Sequence, residues 1–258
     1  MTVFFDTHTH LNADAFTEDV ADVIRRAKSV GVCQFLVAGY DLNSSYRAVE
    51  LARSYPDHVY AAVGIHPLDA GDLDTETRCA ISELADDPSV VAIGETGLDF
   101  YRKGYAKEVQ GEAFLWHLDL AVKHDKPAII HVRNSFDDVL DNLQQFDGVA
   151  VAHCFSGNRS EVGELVKLGL YVSFAGLITY SSGVLVRGAL SSVPSDKLVI
   201  ETDSPYLTPR GVNSRRNEPS YVVKVASVAA ETIGMNVDDF ASMTTGNARR
   251  LFGLGQTR

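Results

Sequence analysis

Near the start of the chain, in FFDTHTH (residues 4–10), two histidines two residues apart close an apolar run. Side chains alternate along a β-strand, so His8 and His10 would share one face with their Cα atoms roughly 6–7 Å apart. That spacing suits two ligands on one metal ion. It also suits a pair of hydrogen-bonded polar residues near a strand end, and the rest of the chain must decide. His66 follows an apolar run in VGIHP, Glu95 in AIGETGLDF, His131 and Arg133 in IIHVR, and His153 in VAHCFSG; Glu201 and Asp203 do so in VIETDSPYLTP. Five of the eight histidines fall at such ends, and only His58, His117 and His124 lie elsewhere. Histidines scattered through a core would not gather this way.

The elements that must position these groups are short. Eight β-branched or apolar runs recur: Val3–Asp6, Cys33–Ala38, Val59–Gly64, Val90–Ile93, Ala128–Ile130, Val149–Ala152, Leu170–Phe174 and Leu198–Ile200. Between most of them lie stretches of helical period, such as EDVADVIRRAKSVG and RSEVGELVKLG, each closed by a glycine. Strands alternating with helices predict a (β/α)8 TIM barrel, and continuous apolar runs fit parallel strands covered on both faces. No linker or repeat divides the chain, so one hydrolase barrel is expected over residues 1–258. In such a barrel the strand C-termini and the loops that follow them carry the chemistry. This is where the histidines and carboxylates fall.

Four histidines and two carboxylates at one mouth exceed the three protein ligands of a mononuclear catalytic zinc, so two divalent ions are expected. His8, His10 and Asp203 would serve one ion and His131 and His153 the other, with Glu95 bridging. Asp203 would also take the proton from an attacking water. Such a pair activates water and stabilises charge on the attacking and leaving oxygens. Its net positive charge favours an anionic substrate. Glu201 lies one layer deeper than Asp203 and is expected to hydrogen-bond a ligand from behind. Imidazole with carboxylate suits zinc, manganese or iron better than magnesium, and the choice stays open. Tyr206 and Trp116 are expected to be ordinary aromatic packing.

Composition narrows the partners. A net charge of −11 disfavours broad contact with a polyanion, which relies on many Lys and Arg neutralising phosphates. Arg133, with Arg210, Arg215 and Arg216 from the loop after the eighth run, would add to the metals a small positive focus. This predicts trimming of exposed single-stranded DNA ends rather than wrapping of duplex. Three cysteines, odd in number and far apart, argue for a reducing, cytoplasmic setting. No run reaches the roughly 18 apolar residues of a membrane span, and no obligate protein partner is called for.

The blocks DTHTHL, GIHP, IGETGLDF, IIHVR, HCFSG, ETDSPYLTP, RRNEP and TTGNARRLFGL, in order from about residue 4 to residue 254, resemble the TatD family of metal-dependent deoxyribonucleases. The resemblance implies a TIM barrel, divalent-metal phosphodiester hydrolysis and 3′–5′ exonuclease action. By position it carries metal binding onto His8, His10, Glu95, His131, His153 and Asp203, and makes His66 a substrate-phosphate contact. Thr9 stands where the family often has cysteine, and RGVNSRRNEP departs from the common loop before Asn-Glu-Pro. The competing enzyme is an amidohydrolase cleaving a C–N or ester bond of a small metabolite or an acyl-tRNA. Many of that group bridge their metals with a modified lysine, whereas Glu95 stands on the fourth strand here. The remaining competitor is a noncatalytic metal-dependent binding module.

Overall fold

The computed structural model of the chain describes residues 2–255. Its eight strands are β1 (Phe4–Thr9), β2 (Val32–Ala38), β3 (Val59–Val63), β4 (Val90–Asp99), β5 (Ala128–Arg133), β6 (Ala150–Ala152), β7 (Tyr171–Phe174) and β8 (Leu198–Ile200). All neighbouring pairs from β1–β2 to β7–β8 run parallel, in the order of the chain. Helices follow each strand: α1 (Val20–Ser29), α2 (Leu42–Ser54), α3 (Thr75–Ala85), α4 (Lys107–Lys123), α5 (Phe136–Leu143), α6 (Arg159–Lys167) and α7 (Val184–Leu190). After β8 come α8 (Val222–Ile233) and α9 (Val237–Leu251). The expected (β/α)8 barrel is the fold. No helix among the described residues is long and apolar enough to cross a membrane.

Every residue of β1, β6, β7 and β8 is buried, as the apolar runs require. Inside the barrel, Phe5, Leu36, Ala62, Ala92, Ile129, Val151, Tyr171 and Val199 contribute one layer, one residue per strand. Leu251 and Phe252 at the end of α9 pack against the same layer. The outward faces of the strands meet helix residues such as Val23, Ile24 and Ala27 of α1. Strands β1, β4 and β5 extend past their apolar runs, because pairing continues through polar residues: Gly97 pairs with His131 and Asp99 with Arg133.

The barrel closes through the chain just beyond β8. Asp203 donates its backbone N–H to His8 O at 3.0 Å, and His10 donates to Ser204 O at 2.7 Å. Side chains reinforce the seam: Thr7 Oγ1 donates to Ile200 O at 2.9 Å, and Asp6 Oδ1 accepts from the Thr202 N–H at 2.8 Å.

His117, outside the strand ends, is a structural tie. Buried on α4, it accepts the Ile65 N–H through Nε2 at 3.0 Å and donates Nδ1–H to Ala113 O at 2.7 Å. Burial pushes its pKa down to about 4, so it is neutral in the fold at pH 7. A lowered histidine pKa contributes stability that is complete above the unfolded value of about 6.5 and is lost as pH falls toward the folded one. Between pH 7.5 and pH 5 the loss should be about 2 kcal/mol. Urea unfolding should therefore show a gap between wild type and His117→Gln that shrinks by about that amount at pH 5. A gap unchanged between the two pH values would refute the neutral buried tie.

Candidate metal centre

Period-two alternation carries interior side chains upward from the apolar layer: Ile129 to His131, Val151 to His153, and Val199 to Glu201 and Asp203. The same count fails for His8 and Glu95, each three residues beyond Phe5 and Ala92 in that layer. Register shifts resolve it. Between Asp6 and Thr9, β1 spends three steps against two on β2, and between Ile93 and Thr96, β4 does the same against β5. Each extra residue is a bulge that re-aims the strand, turning His8, His10 and Glu95 inward. A Cβ at Gly97, just past the second bulge, would collide with the His131 carbonyl oxygen, so the close approach there requires glycine. Asn134, Cys154 and Asp203 hold left-handed backbone just past β5, β6 and β8, a conformation rare outside glycine and concentrated at functional sites.

Glu95, 3% exposed, lies at the centre. Its Oε2 faces His8 Nε2 at 3.3 Å and His10 Nε2 at 3.6 Å. Its Oε1 faces His131 Nδ1 and His153 Nε2, both at 2.8 Å, and His66 Nε2 at 3.7 Å. Asp203 Oδ1 lies 3.5 Å from His10 Nε2 and 3.8 Å from His8 Nε2. Burial opposes ionisation of Glu95, but the imidazoles, His153 foremost, outweigh it and hold the carboxyl well below its usual range. Asp203 is lowered for the same reason, with His10 the principal partner against burial.

The outer nitrogens fix which inner ones are free. His10 donates Nδ1–H to Ala38 O at 3.1 Å, His153 donates Nδ1–H to Glu201 Oε1 at 3.2 Å, and His131 Nε2 faces Asp99 Oδ2 at 3.3 Å. With those outer nitrogens protonated, the inner nitrogens of His10, His131 and His153 would turn lone pairs toward Glu95 and toward one another, whereas His8 Nδ1 is buried with no hydrogen-bond partner among the described residues; His8 and His10 Nε2 are 3.2 Å apart, and His131 Nδ1 and His153 Nε2 are 3.3 Å apart. Such a convergence of acceptors is repulsive without cations among them, and anchored outer nitrogens are the usual companions of metal-binding imidazoles. The donor set fits divalent metal. Compact groupings that could hold an ion include His8, His10 and Glu95, and also Glu95, His131 and His153. His66 differs, since its Nδ1 accepts the Leu68 N–H at 3.1 Å and its Nε2 must carry the proton. Burial pushes its pKa down to about 4, so it faces the site as a neutral donor.

The structure thus brings together His8, His10, His66, Glu95, His131, His153 and Asp203, with Glu201 behind His153. Arg133 stands at the rim, its guanidinium 3.9 Å from Asp99 Oδ2. The arginine focus needs correction. Arg216 is held by Asp19, at 2.8 Å through both Nη atoms, and by Glu218 at 2.8 Å, so its charge is neutralised within the fold. Arg210 lines a separate cavity with Arg187 and Glu231. Tyr206, expected to be packing, is 58% exposed with its ring edge toward His10 at 5.9 Å, and Tyr40 flanks the same ring at 5.4 Å. Asp99 was missed. Its only signal was its place in GLDF, four residues beyond Glu95 on the same strand.

A family model described as TatD related DNase matches residues 5–253. The uncharacterized metal-dependent hydrolase YabD of Bacillus subtilis is 41% identical, over 97% of this chain and 99% of its own length. A protein of Escherichia fergusonii named 3′-5′ ssDNA/RNA exonuclease TatD is 37% identical, over 97% and 99%. Among solved structures, the TatD homologue YJJV of Escherichia coli superposes with a TM-score of 0.92 at 28% identity, covering 98% of each chain.

If Glu201 orients His153 for metal, Glu201→Ala should weaken divalent-ion binding by about 10- to 100-fold. Equilibrium dialysis against manganese would measure it, and unaltered affinity would remove Glu201 from that role.

Proposed function

The chain belongs to the TatD family of related DNases, and from that membership we propose that it trims single-stranded DNA ends in the 3′–5′ direction, using a two-metal site. It is a metal-dependent hydrolase acting on phosphodiester bonds. The observation that carries the finer reading is the division of Glu95, each carboxylate oxygen facing its own pair of imidazoles. In this reading His8, His10 and Asp203 would hold one ion and His131 and His153 the other, with Glu95 shared between the two groups. Two divalent ions, when bound, supply an activated water and neutralise charge on the phosphate. Zinc, manganese and magnesium are the candidates.

The remaining steps belong to side chains. Asp203 accepts the proton of the attacking water, since its carboxyl stays ionised beside His10. Neutral His66 offers Nε2–H to a phosphate oxygen, and Arg133 at the rim adds a second contact. The acidic surface repels duplex beyond this mouth, and the name of the Escherichia fergusonii relative, an ssDNA/RNA exonuclease, agrees with such a limited footprint.

Asp203→Asn keeps the shape and removes the base, and should lower the cleavage rate by about 10² to 10⁴. Near wild-type turnover by metal-loaded Asp203→Asn would reject the assignment. End recognition has its own measurement: one single-stranded sequence, offered linear and circularised, should be degraded only when linear. Comparable rates on the circle would establish endonucleolytic cutting instead.

A further inference from the structure

The loop leaving β4 interleaves aromatic rings with cations. Residues 100–107 read FYRKGYAK, with Arg102, Lys103 and Lys107 and no carboxylate, in a chain whose net charge is −11. Tyr101 is 57% exposed and Tyr105 47%. The root of the loop is tied to the metal centre: Asp99 Oδ1 accepts the backbone N–H of Tyr101 at 2.9 Å and of Arg102 at 3.2 Å, while Oδ2 faces His131 Nε2 at 3.3 Å. The Arg133 guanidinium lies over the Tyr101 ring, 4.0 Å from its centroid. One face of that ring is therefore backed by a cation, while the residue as a whole stays more than half exposed.

Resting on the reading of the site as a single-strand hydrolase, we infer that Tyr101, backed by Arg133, is a stacking platform for a base beside the scissile phosphate. Arg102 and Lys103 take the neighbouring phosphates. An aromatic face accepts any base, and a flanking guanidinium strengthens the contact. Within a duplex every internal base face is already covered by its neighbours, so the platform favours an unpaired strand. Charge complementarity identifies the occupant: a cation-bearing loop on an otherwise acidic protein suits a polyanion with flat rings. Asp99 fixes this loop and His131 through one carboxylate, which keeps the platform in register with the chemistry.

The test uses metal-loaded protein and two probes of equal length, a thymidine pentamer with uncleavable phosphorothioate links and the same backbone without bases. Wild type should bind the thymidine pentamer more tightly. Tyr101→Ala should weaken that binding roughly tenfold, within the range of about 5- to 150-fold for loss of one stacked base, and leave the abasic probe unaffected. Tyr101→Phe should keep wild-type discrimination. Equal weakening on both probes, or no preference by wild type, would overturn the platform. Cleavage of an unmodified pentamer is scored separately: tight, base-dependent binding without cleavage would overturn the hydrolytic reading and leave the platform standing.

Discussion

A carboxylate withdrawn from water must be compensated, and Glu95 is nearly fully withdrawn. The penalty for burying such an ion is several kcal/mol even after relaxation. Cations would answer that demand, held among five imidazole nitrogens within 3.7 Å of its two oxygens. The imidazoles in turn need orientation, which explains two further buried acids: Glu201 at 0% and Asp99 at 1% exposure lie behind His153 and His131. Each layer of charge thus requires the next one out. The sequence of acid, imidazole, acid runs from the barrel axis to its wall, and the loops outside it are placed by that order.

Much of this architecture was legible before any coordinates. Apolar runs at regular intervals gave the strand count, and the polar residues trailing them gave the mouth. Both bulges escaped notice, because a shift of register depends on the partner strand and leaves no local composition signal. Simple alternation would have pointed His8 and Glu95 into the helical layer. Reading the histidines as strand-end residues reached the right set by a shorter route than the chain itself takes. Arginines were less legible than histidines. Arg216 looked free because Asp19, its partner, lies nearly 200 residues away in sequence. Tyr206 looked like packing because exposure is a property of the finished surface. Where a residue's role was set by its own strand, sequence sufficed; where a distant element set it, sequence did not.

The seam between β1 and the chain beyond β8 is both a structural closure and part of the site. His8 and Asp203 share a backbone hydrogen bond as well as a facing pair of side chains, so the carbonyl that closes the barrel belongs to a site residue. The seam is tightened from below by the Asp6 carboxylate on Thr202 and from above by the hydroxyl pair of Thr9 and Ser204 at 2.6 Å. Non-glycine backbone at Asp203 is strained, and these contacts hold it.

That seam also fixes when the site comes into being. Asp6 and Thr202 are 196 residues apart, so their contact closes a loop spanning most of the chain and bears the closure entropy that goes with it. A nascent chain that has left the ribosome only as far as β7 carries every histidine of the site but neither Asp203 nor the closure that positions it. Synthesis from the N-terminus therefore places Asp203 last. The molecule is born without a complete site and acquires one when the two ends of its barrel meet.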